Sequence, residues 1–249
     1  MRKKGLAVVL SCMLCISLAA CSTPGSNKKA SNNSSEATKE KVFRYSMKAD
    51  VTTLDPQKSN ELQSATIGYH IGEGLTRSEN GEVHAGIAET WDVSEDGLTY
   101  TFHLRDAKYS DGEQIKAEDF EYAMKRLVDP KTASTFAFIA KPLKNADAVT
   151  SGEMGTEELG VEAVDDKTLV CTLGFPAPYF LQILSMPQFY PTRQDIVEKN
   201  GDEFALNGEN NVYSGPFVLK EWKQNDRIIL EKNPEYWDAD DINLEKVEI

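Results

Sequence analysis

Cysteine is the residue type whose spacing first points to chemistry in this sequence. Cys12 and Cys15 have the C-x-x-C spacing of redox pairs and metal ligands. They lie in an N-terminal stretch with the composition of an export signal, which is removed from a mature protein, so we reject this interpretation. Cys171 alternates with Leu169 and Leu173, and free cysteine is among the most buried residue types. We therefore expect Cys171 to be a buried strand residue, and no internal disulfide.

Histidines and carboxylates form no catalytic pattern. The three histidines are far apart in the sequence: His70, His84 and His103. Motifs for serine or zinc hydrolases, phosphate-binding loops and dinucleotide binding are absent. Asp238 and Asp240 have the spacing of a calcium loop, but its sixth residue is Asn243 instead of Gly and its twelfth is Ile249 instead of Glu. The sequence therefore predicts neither an enzyme, nor a metal site, nor a cofactor.

The N-terminus has the order of segments found in a bacterial lipoprotein signal. Three basic residues precede an apolar stretch that is too short to span a membrane comfortably. This stretch ends in Leu18-Ala19-Ala20-Cys21, which looks like a lipoprotein box. We predict a signal peptide over residues 1–20 and attachment of lipid to Cys21, whose acyl chains would anchor the protein in the membrane. The alternative is an ordinary signal peptide with an incidental cysteine.

Residues 21–41 are predicted to be a flexible tether between the lipid and a folded domain. They contain no Val, Ile, Leu, Phe, Tyr or Trp, so they cannot bury enough apolar surface to become ordered. The whole chain of 249 residues has a formal net charge of −13, and loss of the signal with its three basic and no acidic residues makes it −16. Such a chain is repelled by phosphate backbones, which excludes nucleic acid as a partner.

Residues 89–130 contain the clearest secondary-structure pattern. Leu98, Tyr100, Phe102 and Leu104 alternate with polar residues, which predicts a strand with one apolar face. Beyond the turn at residues 111–112 the period changes to that of a helix. Its apolar stripe comprises Phe120, Ala123, Met124, Leu127 and Val128. The helix should end at Asp129, because the residue before a proline avoids the helical region.

The same reasoning predicts further elements on both sides of this stretch. A strand is expected over residues 42–47 and a helix within 59–75. Two hairpins are expected, one with strands at 160–164 and 168–173, the other with strands at 215–222 and 227–232. Short helices should follow Pro178 and cover 194–199, and a last strand should begin at residue 245. The mixture of strands and helices indicates an α/β protein.

Several runs of residues resemble one family at matching intervals. They include Gly86 to Trp91, Asp96 to Arg105, Tyr109 to Gly112, Ala117 to Phe120 and Leu230 to Asp238. With these residues in place, the chain resembles the extracytoplasmic solute-binding proteins of peptide-importing ABC transporters, the oligopeptide-binding family. Two positions depart from the family: Lys116 stands where a threonine would cap a helix, and Ser214 stands where asparagine is common.

The resemblance implies the α/β clamshell of a periplasmic-binding-protein type II-like fold, in its peptide-binding, three-domain variant. It assigns residues 42–72 and 192–249 to the first lobe and 73–191 to an additional domain, and it implies that the second lobe is missing from this chain. It places ligand contacts at Asn60, Glu61 and Leu62 and at Phe136. The alternatives are an exposed connection for the loop and a core aromatic for Phe136.

The function implied by the resemblance is capture of an oligopeptide and its delivery to a membrane permease that is powered by an ATPase. The protein would be a monomer without a cofactor, anchored on the extracytoplasmic face of the cell membrane. One alternative is the same fold with another cargo, such as nickel, haem, an opine or a sugar. Another is a surface lipoprotein that senses signalling peptides without transporting them.

Overall fold

The computed structural model describes residues 41–206 and 211–249. The predicted signal peptide, the lipidation of Cys21 and all of the predicted tether except its last residue lie outside the described residues. Within the described ranges the chain forms ten strands and five α-helices, which are joined by turns and short 3₁₀ segments. In chain order these elements are β1 Val42–Arg44, α1 Leu62–Ile71, β2 Thr76–Glu79, β3 Glu82–Ala85, β4 Ala88–Val93, β5 Thr99–Leu104, α2 Ala117–Val128, α3 Ala146–Thr150, β6 Val161–Asp165, β7 Thr168–Thr172, α4 Phe180–Ile183, α5 Gln194–Asn200, β8 Phe217–Lys223, β9 Arg227–Lys232 and β10 Lys246–Glu248.

An antiparallel sheet with the order β4-β5-β7-β6 is built around the strand that the sequence predicted most clearly. Phe102 of β5 is fully buried opposite Leu169 of β7, and Tyr100 lies opposite Cys171. Helix α2 packs on β6 and β7 of this sheet through its predicted apolar stripe, which is buried along its whole length. The predicted strand, helix, first hairpin and burial of Cys171 are therefore confirmed.

A second sheet has the order β1-β10-β9-β8 and joins distant parts of the chain. Its first strand pairs in parallel with its last, so that Phe43 lies opposite Val247. Strand β10 is antiparallel to β9, and β9 forms the predicted hairpin with β8. Strand β1 has only three residues, and the side chain of its Phe43 is half exposed.

Two separate hydrophobic clusters lie beneath these sheets. The first comprises buried side chains between Leu75 and Phe189, and the second combines residues between Val51 and Ile71 with residues between Ala205 and Val247. We retain the division of the chain into a lobe, formed by 42–72 with 192–249, and an additional domain, formed by 73–191, as a proposal. The separation of the two cores supports it.

Four elements were not predicted from the sequence. They are the two strands of the β2–β3 hairpin, strand β4 and the short helix α3. The hairpin turns at Asn80-Gly81, where both residues have positive φ angles of 52° and 86°, and Asn-Gly is the dipeptide that favours such a turn. Strand β4 has only one buried residue, Ala88. Strand β4 has no continuous apolar face, and its antiparallel pairing with β5 holds it in the sheet.

Helix α2 begins without a capping side chain at Lys116, as its sequence led us to expect. The Asp119 carboxylate compensates by accepting a hydrogen bond from the Lys116 N–H at 2.9 Å, which is half of a capping box. Asp119 is almost completely buried. Burial raises the pKa of Asp119 to about 6, although the Lys116 N–H and the neighbouring Tyr109 hydroxyl oppose this rise.

Replacing Asp119 with asparagine should change how stability depends on pH. The pKa of an unfolded aspartate is about 3.9, so between pH 4 and pH 6 the folded protein retains a proton that the unfolded chain has released. The free energy of unfolding should therefore fall by about 2 kcal/mol from pH 4.5 to pH 7 because of this group, and Asp119→Asn should not show that fall. Urea unfolding of both proteins at the two pH values measures it. An equal pH dependence in both proteins would contradict the assignment.

Candidate functional site

The loop that follows Leu54 is fixed by a buried ion pair. The Arg126 guanidinium of α2 donates from both of its terminal nitrogens to the two Asp55 carboxylate oxygens, each at 2.6 Å. One of these nitrogens also donates to the Gln57 side-chain oxygen at 2.7 Å. The Arg126 side chain is 10% exposed and the Asp55 side chain 3%. This bidentate geometry fixes the orientation as well as the position of the loop.

A second set of hydrogen bonds holds the other side of the same loop. The Gln57 side chain donates to the Gln188 carbonyl oxygen at 3.3 Å, and the Gln188 side chain donates to the Ser59 carbonyl oxygen at 3.2 Å. The Thr192 hydroxyl donates to the Gln57 side-chain oxygen at 3.3 Å. Because Gln57, Gln188 and Thr192 are all buried, the loop reaches the surface from a rigid base.

The three predicted loop residues follow directly after this base. The Asn60 side-chain amide donates to the Thr135 hydroxyl at 3.2 Å, and Glu61 accepts from the Thr52 hydroxyl at 3.0 Å. Leu62 is the first residue of α1 and is 79% exposed. Asn60 and Leu62 are therefore both on the surface, directly after a loop that is held by the buried hydrogen bonds of Gln57 and Gln188.

The predicted aromatic residue lies beside this loop. Phe136 follows Thr135, the residue that Asn60 contacts, and is only partly buried. Its ring centroid is 5.5 Å from that of Phe138, which is 66% exposed. The structure thus joins the loop to the residue that precedes Phe136, 75 positions away from Asn60 in sequence. Sequence reasoning did not assign Phe138 to the site, although the F-A-F-I run marked this segment as apolar.

A second buried polar group is the Glu73 carboxylate, whose residue is 3% exposed. The Tyr236 hydroxyl and the Trp237 indole N–H both donate to the Glu73 carboxylate, the latter at 3.0 Å. The Arg77 guanidinium lies 3.1 Å from the other Glu73 oxygen. The Arg105 guanidinium stacks 3.5 Å from the centre of the Trp237 ring, which adds a cation–π contact. Burial raises the pKa of Glu73 in spite of these partners.

Ser214 and Gly215 join the late hairpin to the end of α1. The Ser214 hydroxyl accepts a hydrogen bond from the Glu73 N–H at 3.1 Å, so the serine satisfies this buried backbone donor. The Gly215 N–H donates to the Ile71 carbonyl at 3.0 Å. A Cβ atom on Gly215 would lie 2.4 Å from the Gly72 nitrogen. Only glycine allows the two backbones to approach this closely.

Histidine and cysteine, two residue types that often do chemistry, have defined surroundings in the described part of the chain. The His103 Nε2 atom lies 2.9 Å from an Asp92 carboxylate oxygen, but both side chains are well exposed on the sheet surface. Burial raises the pKa of the Cys171 thiol far above its ordinary value, which makes it inert. No three His, Cys, Asp or Glu side chains in the described part of the chain are grouped to hold a metal ion. None of the described helices combines the length and the apolar character needed to cross a bilayer.

Known proteins resemble this chain in sequence and in fold. The E. coli K12 protein described as "Probable deoxycholate-binding periplasmic protein YgiS" is 42% identical over 84% of the chain, and the oligopeptide-binding protein OppA of Bacillus subtilis is 35% identical over all of it. The alignments cover 40% and 46% of these relatives, so the chain spans less than half their length. The structure of Listeria monocytogenes OppA bound to peptide matches with a TM-score of 0.82 and 32% identity, covering 85% of this chain and 42% of that one.

Residues 82–249 match the bacterial extracellular solute-binding proteins, family 5. This match covers the predicted strand and helix of residues 89–130 and the whole late hairpin. The resemblance found in the sequence and the α/β fold that it implied are therefore confirmed, and a 42% share of the Listeria chain fits one part of a clamshell. The ligand contacts at Asn60, Glu61, Leu62 and Phe136 stay predictions. The chain belongs to the bacterial extracellular solute-binding proteins of family 5.

Proposed function

We propose that this chain is part of a lipid-anchored protein that captures oligopeptides outside the cytoplasm and delivers them to the permease of an ABC importer, whose ATPase supplies the energy. The observation that carries the proposal is the rigidly based loop of Asn60, Glu61 and Leu62 beside Phe136, on a fold shared with OppA of Listeria monocytogenes bound to peptide. Several relatives with more than 30% identity are described as oligopeptide- or dipeptide-binding proteins.

The proposed mode of binding uses the peptide backbone. An extended peptide would lie between the two lobes of the complete protein and bind largely as an added strand, which gives affinity with little sequence preference. Asn60 would supply amide and carbonyl groups at the surface, while Phe136 and Leu62 would supply apolar contact area. Closure of the lobes around a hinge would then bury the ligand, and the protein would act as a monomer without a cofactor.

The proposed anchor is lipid on Cys21. The lipoprotein box and the polar residues 21–41 support it, because a thioether-linked diacylglycerol would hold the domain at the membrane while the tether lets it reach the permease. Mass spectrometry of the membrane-extracted protein should find a lipid-modified Cys21 as its first residue. A mature N-terminus elsewhere, with an unmodified thiol, would contradict this part of the proposal.

A second candidate function is binding of a different cargo on the same fold. The observation that favours it is the 42% identity to the E. coli K12 relative described as probably deoxycholate-binding. Leu62 and Phe138 are apolar and well exposed, and such a surface also suits a bile acid. A third candidate function is sensing of signalling peptides without transport. Permease and ATPase genes beside the gene for this protein would argue against it.

A ligand-dependent rise in stability tests these candidates. The complete mature protein should be unfolded thermally and in urea with a mixed oligopeptide pool, with deoxycholate, and with neither. A bound peptide at 100 times its Kd should raise the free energy of unfolding by about 2.7 kcal/mol. A rise with deoxycholate alone would favour the second function. No rise with any peptide pool would contradict peptide capture.

A further inference from the structure

Two asparagine–glycine pairs of the described chain differ in how firmly the fold holds them. Asn80 and Gly81 form the turn of the β2–β3 hairpin, and both residues are exposed. Asn200 and Gly201 lie at the C-terminal end of α5, and a third pair, Asn207-Gly208, lies outside the described residues. In such a pair the backbone nitrogen of the glycine can attack the asparagine side chain, because glycine has no Cβ atom to obstruct the approach.

The Asn200 pair is held by two hydrogen bonds. The Asn200 side-chain amide donates to the Ile196 carbonyl at 2.9 Å, and the Gly201 N–H donates to the Val197 carbonyl. The first bond fixes the side chain that would be attacked, and the second occupies the nitrogen that would attack. Both bonds must break before the two atoms can meet, which slows the reaction about thirtyfold.

The Asn80 pair has no comparable restraint. No hydrogen bond among the described residues involves the Asn80 side chain or the Gly81 N–H. A Cβ atom on Gly81 would meet nothing within 4 Å, so the space around this residue is open. The attacking nitrogen and the carbon that it attacks are therefore both free to move.

Attack also requires the Asn80 backbone to leave its turn conformation, and the tip of the hairpin opens at little cost. Strands β2 and β3 pair only with each other, as a two-stranded sheet, and a sheet of this size adds little stability of its own. Glu79 lies opposite Glu82 beside the turn, where like charges repel each other. The Thr76 hydroxyl donates to the Leu181 carbonyl at 2.7 Å, so the base of the hairpin stays anchored while its tip opens.

We propose that Asn80 is a site of spontaneous deamidation, whereas Asn200 is protected by its helix end. The Gly81 nitrogen bonds to the Asn80 side-chain carbonyl carbon, and the side-chain nitrogen leaves as ammonia with the proton that the Gly81 nitrogen loses. Water then opens the resulting succinimide ring at either of its carbonyl carbons, which gives aspartate or isoaspartate. The net reaction consumes one water and releases one ammonia, and nothing is oxidised or reduced.

Either product changes the tip of the hairpin. Aspartate adds a third carboxylate beside Glu79 and Glu82, which increases the repulsion there. Isoaspartate also lengthens the backbone by one carbon atom, whereas the turn depends on the φ angles of 52° and 86° at Asn80 and Gly81. The modified hairpin should therefore loosen. This inference does not depend on the cargo, because the reaction needs only water.

The test follows the complete mature protein as it ages in neutral buffer. Samples are digested for mass spectrometry that separates asparagine, aspartate and isoaspartate at each position, and a sample from the start corrects for conversion during digestion. In the folded protein we expect Asn80 to be converted about thirtyfold faster than Asn200. In urea the two sites should be converted at similar rates. Aged protein should also exchange the amide hydrogens of residues 76–85 faster than fresh protein.

Asn80→Gln carries one more methylene, so the same attack forms a larger ring and is slow. This variant should lose both the modification at the hairpin and the faster exchange on ageing, whereas the matched control Asn200→Gln should keep both. Equal rates at Asn80 and Asn200 in the folded protein would overturn the inference. Conversion of Asn80 that is seen only in urea would also overturn it. Neither result bears on peptide capture, which is tested separately by the ligand-dependent stability.

Discussion

Replacing Arg126 with methionine should lower the free energy of unfolding by about 3–5 kcal/mol, because it leaves a buried carboxylate without its cationic partner. Both Asp55 oxygens accept from Arg126, and the Asp55 side chain is 3% exposed. The Gln57 side-chain oxygen loses its shortest hydrogen bond in the same variant. Methionine retains an apolar stem of similar length, so the loss reports on the charge and its hydrogen bonds. Urea unfolding measures it.

Two controls distinguish this ion pair from an ordinary surface contact. Arg227→Met removes a pair with Glu221 in which the arginine side chain is 53% exposed, and it should cost far less stability than Arg126→Met, because water screens an exposed pair. The double variant Asp55→Asn with Arg126→Met removes both charges and should recover part of the loss. If Arg126→Met and Arg227→Met were equally mild, the Asp55–Arg126 pair would not be the support of the loop.

Replacing Gly215 with alanine should cost about 3 kcal/mol or more, at the upper end of the range for overpacking. The new methyl group would lie 2.4 Å from the Gly72 nitrogen and 2.6 Å from the Ile71 carbonyl carbon. Both are backbone atoms, so no flexible side chain can move aside. Relief requires shifting the end of α1 away from β8, which also weakens the hydrogen bond from the Gly215 N–H to Ile71.

Gly174→Ala is the matched control, because its new methyl group would meet nothing closer than 3.8 Å. Its effect should stay within about 0.5 kcal/mol in either direction. Chemical denaturation of the two variants side by side measures the difference. A Gly215→Ala variant as stable as the Gly174→Ala variant would show that the end of α1 and the Gly215 backbone separate easily. That result would contradict the close approach of these two backbones.

The elements that sequence reasoning predicted are those in which one face is apolar and buried. The buried apolar residues of strand β5 recur at a period of two and those of helix α2 at a period of 3.6, because each element turns one face to the core. Both elements were located to within a few residues. Strand β4 was missed because Glu89, Thr90 and Asp92 are all exposed on it, so that no periodicity marks it. Its formation depends on the edge that β5 provides, which is a tertiary cause.

The candidate site shows the same limit. Asn60 and Phe136 were reached through the family resemblance, and nothing in their local sequence indicates that they lie close together. The hydrogen bond from Asn60 to Thr135 and the ion pair from Arg126 to Asp55 are long-range contacts, and such contacts follow from the fold as a whole.

The parallel pairing of β1 with β10 has a consequence for the order of events during synthesis. Arg44 and Glu248 pair although they are 204 residues apart, so β1 has no partner in its sheet until strand β10 has emerged from the ribosome. At about 5–20 residues per second this delay is about 10–40 s. The sheet of β4 to β7 is complete when residue 172 emerges, well before that time. Until β10 emerges, strand β1 therefore stays unpaired and its Phe43 side chain is open to chaperones, although the sheet of β4 to β7 already has all its strands.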